Sequence, residues 1–253
     1  MSLPDDAVLP LLRDDFVVGW QNIEKYDYVG DSFGYAGKNC AVGTTNGAGA
    51  HNVQIFVLSA DGVVLHALFG FWHPEDLARE LRLAQALARL WQDDGRTRAE
   101  KNDMFGRMQL AAVRQHPPAT FARSRWQGFD VQAERRRLQE TGQRDTFFGE
   151  NGQVVTDDNG QPQLKPLNLL VHERMAARPF VKFEDFDVAA FADYGRDFYD
   201  NNARVERPGR VFARARATRA KHQRQEQRQA ERAAKLAAVR RRAPAPNVAR
   251  RAR

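Results

Sequence analysis

The only cysteine of the chain, Cys40, is the side chain best suited to covalent chemistry. It lies near Lys38 in a glycine-rich stretch, and a nearby cation in an exposed loop favours the nucleophilic thiolate form of a cysteine. This setting is compatible with a one-cysteine peroxidatic or redox-sensing thiol, and also with a small inert side chain. No Pro-x-x-x-Thr-x-x-Cys pattern leads into Cys40, and one sulfur cannot form an intrachain disulfide. We therefore keep Cys40 as the only candidate catalytic residue and expect it to be inert.

Histidines are the next candidates, as metal ligands. The chain has six, and His51, His66 and His73 lie in or beside one predicted hairpin, where they can converge. No two histidines have the spacing of the HExxH or His-x-x-x-His motifs, which place ligands on one helix face. The pattern therefore favours structural histidines, and we predict no metal and no cofactor. The other three are His116, His172 and His222.

Other patterns associated with catalysis are incomplete. The glycine-rich segment 43–49 lacks the Gly-Lys-Ser/Thr ending of a phosphate-binding loop, so we predict a turn-rich connection. Neighbouring carboxylates occur at 157–158 and 184–187, but acids in polar turns are usually solvated and no matched base accompanies them. The pair His172-Glu173, on a predicted helix, is equally incomplete as an acid–base dyad. None of these patterns predicts an active site.

Positive charge is concentrated in the last fifth of the chain. Residues 204–253 hold 17 Lys and Arg against 3 Glu, so this segment carries +14 while the preceding residues carry −7. Residues 210–241 are mostly good helix formers, and an arginine-rich helix suits phosphate backbones without reading sequence. The alternative is a solvated tail, or one that contacts the acidic body. The residues predicted to contact nucleic acid or another anion are Arg210, Arg214, Arg219, Lys221, Arg224, Arg228, Arg240, Arg241 and Arg242.

A hairpin followed by a helix is the clearest structural signal. The pair Asp61-Gly62 separates two apolar runs, residues 53–58 and 63–68, and an Asp-Gly pair between apolar runs is typical of a tight β-turn. Gly70 ends the second strand. Pro74, followed by two acids, then begins a helix. The predicted apolar face of this helix consists of Leu77, Leu81, Ala84, Leu87, Ala88 and Trp91.

Shorter elements are predicted elsewhere. A helix beginning at Pro4 should end within a turn, at Pro10, and residues 16–23 should form a strand because they are rich in β-branched and aromatic side chains. The glycine-rich residues 24–51 should form a long loop. Residues 180–202 carry seven aromatic side chains among acids, and we expect this arm to dock on the body. Helices are also expected over 98–114, 130–140 and 167–177, and a hairpin over 154–165 around Asp158-Asn159-Gly160.

The order of strand, long connection, hairpin, glycine and helix across residues 16–92 resembles the later half of thioredoxin-like proteins. The resemblance rests on Phe16-Val17-Val18, residues 52–58, Asp61-Gly62, Gly70 and Pro74-Glu75-Asp76-Leu77. It implies an α/β fold with an incomplete or divergent thioredoxin-like sheet. The chain lacks the Cys-x-x-Cys pair of the family, and residues 50–53 contain no proline where the family has a cis-proline. The resemblance therefore implies a domain that cannot run the dithiol cycle.

These patterns predict three regions: a thioredoxin-like α/β domain over 1–95, a mostly helical appended region with the aromatic arm over 96–203, and a basic helical or disordered tail over 204–253. A thioredoxin-like chain that begins this close to its central strand suggests a truncated or misassigned N-terminus. We see no secretory signal and no run long enough to cross a membrane, and a lone cysteine suits a reducing compartment, so a cytoplasmic location is expected.

The function predicted from the sequence is that of a redox-inactive, non-catalytic binding or scaffold module. Its partner would be a protein that the sequence does not identify, with no membrane contact. One alternative is a single-cysteine thiol redox or peroxidase-like protein that uses Cys40. The other is a nucleic-acid-associated protein that acts through the basic tail.

Overall fold

A β-hairpin followed by a long helix forms the centre of the fold, as the sequence predicts. The computed structural model describes residues 2–23, 44–49, 53–127, 130–131, 134–135, 138 and 145–192. In chain order its elements include α1 (Leu9–Asp15), β1 (Gln54–Leu58), β2 (Val64–Phe69), α2 (Pro74–Gln92), α3 (Arg98–Gln115), α4 (Pro118–Arg123), α5 (Leu167–Ala176), a 3-10 turn (Phe183–Asp185) and α6 (Val188–Ala192). Over these residues the protein is therefore a mixed helix-and-strand fold with a two-stranded antiparallel sheet.

Strand β2 is the more deeply buried half of the hairpin. All six of its residues are buried, whereas β1 is mostly half-buried. Strand β1 borders one edge of β2, with Val57 opposite His66. On the other edge the amide of Val64 donates a hydrogen bond to the carbonyl oxygen of Val181, at 2.8 Å. Because β2 is covered on both faces, its one polar side chain, His66, must lie in the core.

One hydrophobic core joins the hairpin to α2, α3 and α5. The predicted apolar face of α2 is buried at Leu77, Leu81, Ala84 and Leu87. Helix α3 begins at a capping box in which Thr97 and Glu100 bond reciprocally to each other's backbone. The core includes residues from both sides of residue 95, so the appended helices and the hairpin are packed together.

The N-terminal segment differs from the prediction. Helix α1 spans Leu9–Asp15, with Pro10 in its first turn. The backbone N–H that proline lacks is not needed there, so Pro10 lies at the start of a helix and does not end one. Residues 16–23 are irregular, not a strand, and leave Val17, Val18 and Trp20 exposed. Strand propensity depends on a partner to pack against, and no strand among the described residues pairs with this segment.

The later predictions are met in part. Helix α5 matches the helix expected over 167–177, and residues 154–165 form a hairpin-like turn with isolated bridges instead of long strands. In the aromatic arm Phe180, Phe186 and Phe191 are buried, as expected. Helix α4 was not predicted; it begins at Pro118, the second of two consecutive prolines, where a proline is tolerated in the first turn. The arm beyond 192, the tail, residues 24–43 and most of 128–144 lie outside the described residues.

Gly70 makes the packing at the end of β2 testable. Its φ of +71° is in the left-handed region, and a Cβ built there would lie 2.5 Å from the carbonyl carbon of Gly47. Gly62 has a similar φ, +80°, but no heavy atom within 4 Å of such a Cβ. We expect Gly70→Ala to lower the free energy of unfolding by about 1–3 kcal/mol more than Gly62→Ala, because only Gly70 adds a backbone clash to the strain. Urea denaturation of both variants measures the difference; equal losses would contradict the close approach.

Candidate functional site

Three histidines surround one glutamate in the core. His66 lies on β2, Glu80 on α2, His116 directly after α3 and His172 on α5. Nε2 of His66 is 2.9 Å from Oε2 of Glu80, Nε2 of His172 is 3.3 Å from both carboxylate oxygens, and Nε2 of His116 is 3.4 Å from Oε1. We call these four residues the His/Glu cluster. Their side chains are 0–5% exposed, so the cluster is sealed from solvent.

Local structure explains why these polar side chains point inward. Glu80 lies one helical turn from Asp76 and one from Ala84, on a face of α2 that is buried at all three positions. His172 lies on the same face of α5 as Asn168, one turn earlier, and both side chains are buried. His116 is the C-cap of α3, where the two following prolines end the helix. Each polar residue therefore occupies a position whose neighbours belong to the core.

Two buried amides contact the far nitrogens of the imidazoles. Oε1 of Gln109 lies 2.7 Å from Nδ1 of His172, and Nε2 of the same amide lies 3.3 Å from Nδ1 of His66. Nδ2 of Asn168 lies 3.0 Å from Nδ1 of His116, while Oδ1 of Asn168 has no hydrogen-bond partner among the described residues. Each Nε2 therefore faces the carboxylate and each Nδ1 faces an amide.

The charge states of the cluster follow from this geometry. Burial on its own raises the pKa of Glu80, but the attraction of His172 and the hydrogen bonds from the three imidazoles outweigh it and hold that pKa well below its usual range. Burial lowers the pKa of His172, and the neighbouring imidazoles act in the same direction against the attraction of Glu80. Glu80 is therefore a buried carboxylate, and His172 favours its neutral form near neutral pH.

A second buried carboxylate lies one turn before Glu80. Asp76 accepts hydrogen bonds from Nε and Nη2 of Arg123, at 2.8 Å each, from Thr120 at 2.7 Å and from Asn46 at 2.8 Å. Burial alone would raise the pKa of Asp76, but these hydrogen bonds, led by those of Arg123, hold it below its usual range. Asp76 thus has a cation of its own, unlike Glu80, and it fastens the 44–49 loop to α2 and α4.

The structure separates histidines that are close in sequence. His66 belongs to the His/Glu cluster, but Nε2 of His73 lies 2.9 Å from the carbonyl oxygen of Thr44, in a different part of the fold. His66 and His73 therefore do not converge: His66 lies within the buried strand, and His73 lies beyond Gly70, at the start of α2. His51 is outside the described residues.

The other sequence candidates do not form a site. Glu173 binds Lys165 at 2.8 Å instead of pairing with His172, and Asp157 accepts backbone hydrogen bonds within its own turn. The acids at 184, 185 and 187 are exposed. Cys40, His222 and all nine basic residues predicted to contact an anion lie outside the described residues.

Sequence reasoning missed Glu80, His116, His172, Gln109 and Asn168 as members of one centre. The sequence did contain a signal for Glu80, which falls on the buried face of α2. A charged residue on an apolar face indicates a special role because such residues are almost never buried without a partner. No such signal marked His116, whose neighbours come from distant parts of the chain.

Comparison with known proteins gives no family assignment. No family model matches the chain, and neither a curated protein nor a solved structure is significantly similar to it. In the part of the chain that the structure describes, none of the helices combines the length and the apolar character that crossing a membrane requires. The functional argument therefore depends on the geometry of the cluster and on the composition of the chain.

Proposed function

We propose that this protein is a redox-inactive binding or scaffold module built on a thioredoxin-like domain. The observation that carries the proposal is the burial of the His/Glu cluster: the side chains of His66, Glu80 and His172 are 0–2% exposed. General acids and bases must lie within hydrogen-bond reach of a substrate, and these groups contact one another inside the core. Because a substrate cannot reach these side chains, the cluster supports a structural role for them and not a catalytic one.

Two further observations support the proposal. The chain has one sulfur nucleophile, whereas dithiol exchange requires two. The hairpin, Gly70 and α2 follow one another in the order on which the resemblance to thioredoxin-like proteins rests, and this order supports the proposal. Surface suited to a partner is present as well, because Val17, Val18 and Trp20 are exposed apolar side chains close together in the chain.

The thiol of Cys40 tests the redox-inactive part of the proposal. We expect its alkylation rate to rise with pH around the free-thiol value of about 8.5, because an inert thiol has no neighbouring group that stabilises the thiolate. We also expect Cys40→Ser to abolish labelling without changing the urea midpoint of unfolding. A titration midpoint one unit or more below that value would instead identify a reactive thiol and favour the peroxidase-like alternative.

A further inference from the structure

We propose that the His/Glu cluster binds one divalent transition-metal ion of the zinc class, with His66, Glu80 and His172 as ligands and His116 as the fourth donor. This site is independent of the scaffold role proposed above, which would stand whether or not a metal binds. It differs from the sequence-based prediction, which favoured structural histidines without a metal.

Three of the donor atoms lie close enough together to share one ion. Donor atoms of His66, Glu80 and His172 all lie within 4.8 Å of one another. Zinc–nitrogen bonds of about 2.0–2.1 Å and zinc–oxygen bonds of about 2.0–2.2 Å place neighbouring ligand atoms about 3.3–3.5 Å apart. His172 is 3.3 Å from Glu80, and His66 at 2.9 Å would move outward by a few tenths of an ångström. His116 is 3.4 Å from Oε1 of Glu80 but is not one of the three mutually close residues, so it would have to move toward them to become the fourth donor.

The bridging amide of Gln109 shows that the cluster needs one extra positive charge, either a proton on an imidazole or a metal ion. It has one acceptor oxygen and one donor nitrogen, and these two atoms contact Nδ1 of His172 and of His66 respectively. In either orientation of the amide, one imidazole must donate from Nδ1 to the amide oxygen. If that ring is neutral, its bare Nε2 faces the carboxylate of Glu80, and two lone pairs oppose each other. A metal ion between them would convert this repulsion into two bonds. The other ring, if it also binds through Nε2, would then point its Nδ1–H at the amide nitrogen, a contact that a carboxylate at position 109 would improve.

Asn168 supplies a second, independent observation. Its Oδ1 is a buried acceptor without a partner among the described residues, while its Nδ2 contacts Nδ1 of His116. Turning this amide over places Oδ1 at Nδ1 of His116, where it accepts a hydrogen bond from an Nδ1–H. Metal-bound histidines commonly donate their other ring N–H to an oxygen in this way. With the amide turned over, this oxygen would be the acceptor that His116 needs when its Nε2 binds a metal.

Charge balance points in the same direction. No lysine or arginine among the described residues forms an ion pair with Glu80, whose partners in that part of the chain are the three histidines. Asp76, one turn away, is buried with Arg123. A buried carboxylate without a lysine or arginine beside it is costly because its charge has no permanent counter-ion. A dication supplies that counter-charge.

The donor set selects the kind of metal. Three imidazole nitrogens and one carboxylate suit zinc, cobalt and neighbouring first-row ions, whereas calcium requires six or more oxygen ligands. Four protein donors without solvent access are typical of a structural site, since catalytic zinc keeps one position open for water. The metal would therefore enter as the chain folds, and a chelator in the buffer should remove it only slowly.

The test uses the full-length protein produced in medium supplemented with Co²⁺ or Zn²⁺ and washed with a chelator to remove surface-bound ions. Elemental analysis should find about one ion per chain, and the cobalt form should show the intense visible absorption of a four-coordinate site. Unfolding in guanidinium should release the ion to a chromophoric chelator. Less than about 0.1 ion per chain in both media would overturn the proposal and identify a metal-free hydrogen-bonded cluster.

Substitutions assign the ligands. We expect His172→Gln and Glu80→Gln to lose the ion, and the matched control His73→Gln to retain it. Gln109→Glu separates a metal site from a metal-free cluster even where other variants fail to fold. A carboxylate accepts hydrogen bonds from both Nδ1–H groups, so metal release should slow by about 10-fold. Retention of the ion by His172→Gln, or its loss from Gln109→Glu or from His73→Gln, would contradict the assignment.

Discussion

Replacing Arg123 with methionine is expected to lower the free energy of unfolding by about 3 kcal/mol at neutral pH, because it leaves a buried carboxylate without its cation. The side chain of Asp76 is 0% exposed, and Arg123 donates to both of its oxygens at 2.8 Å. Methionine retains much of the aliphatic stem, so lost packing contributes little. Urea denaturation followed by tryptophan fluorescence measures the change.

The pH dependence of this loss has a definite sign. In the native protein the pKa of Asp76 is held below its unfolded value, so its contribution to stability is present above about pH 4 and is lost as the pH falls further. Without Arg123, burial dominates and should raise that pKa above the unfolded value. The variant then gains relative stability as the pH falls, because the carboxyl becomes neutral. We expect the difference from the native protein to shrink between about pH 7 and pH 4.

Two variants serve as controls for this prediction. Arg107→Met removes an ion pair that is shorter, 2.6 Å to Asp103, but whose side chains are 78% and 57% exposed. Surface pairs contribute little, so its unfolding curve should match that of the native protein. Adding Asp76→Asn to Arg123→Met should recover part of the loss, because no charge is then left unpaired. Equal losses for Arg107→Met and Arg123→Met would contradict the role of burial.

Local patterns predicted the elements of this fold better than their partners. The Asp61-Gly62 turn, the Pro74 helix start and the apolar face of α2 depend on residues within a few positions of one another, and all three are confirmed. Residues 16–23 have strand-like composition, but they are irregular in the structure because a strand also needs a neighbour. Composition describes what a segment favours, and the rest of the chain decides whether it forms.

The His/Glu cluster shows the same limit for the site. The histidines of the cluster are far from Glu80 in sequence, from 14 positions for His66 to 92 positions for His172. A spacing rule for ligands on one helix therefore cannot find a cluster whose members come from different parts of the chain. Grouping histidines by proximity in sequence therefore selected His73 and missed His172. The buried position of Glu80 on α2 was readable from periodicity, but its partners required the packing of α3 and α5 against β2.

Substitution of Phe180 is expected to lower the free energy of unfolding at least as much as Arg123→Met does. Here the glycine variant should be more stable than the alanine variant, which reverses the usual order. The ring of Phe180 is buried, with its centroid 4.7 Å from that of Phe105 and 5.0 Å from that of Trp91. Its backbone has φ +52°, the only positive value among the described residues other than glycine, and Nη2 of Arg98 donates to its carbonyl oxygen at 2.7 Å. Packing therefore holds a phenylalanine in a conformation that favours glycine.

Phe180→Ala should lower the free energy of unfolding by about 3–5 kcal/mol, because it removes a buried ring but keeps the backbone strain. Phe180→Gly removes the same ring and relieves the strain, so its loss should be smaller by about 0.5–1 kcal/mol even after the greater flexibility of glycine in the unfolded chain is counted. Phe183→Ala, at an exposed aromatic in the same segment, is the matched control and should cost much less. Urea denaturation ranks the three variants. A glycine variant less stable than the alanine variant would show that the left-handed backbone at 180 is not strained, and that the segment bordering β2 is held by the ring alone.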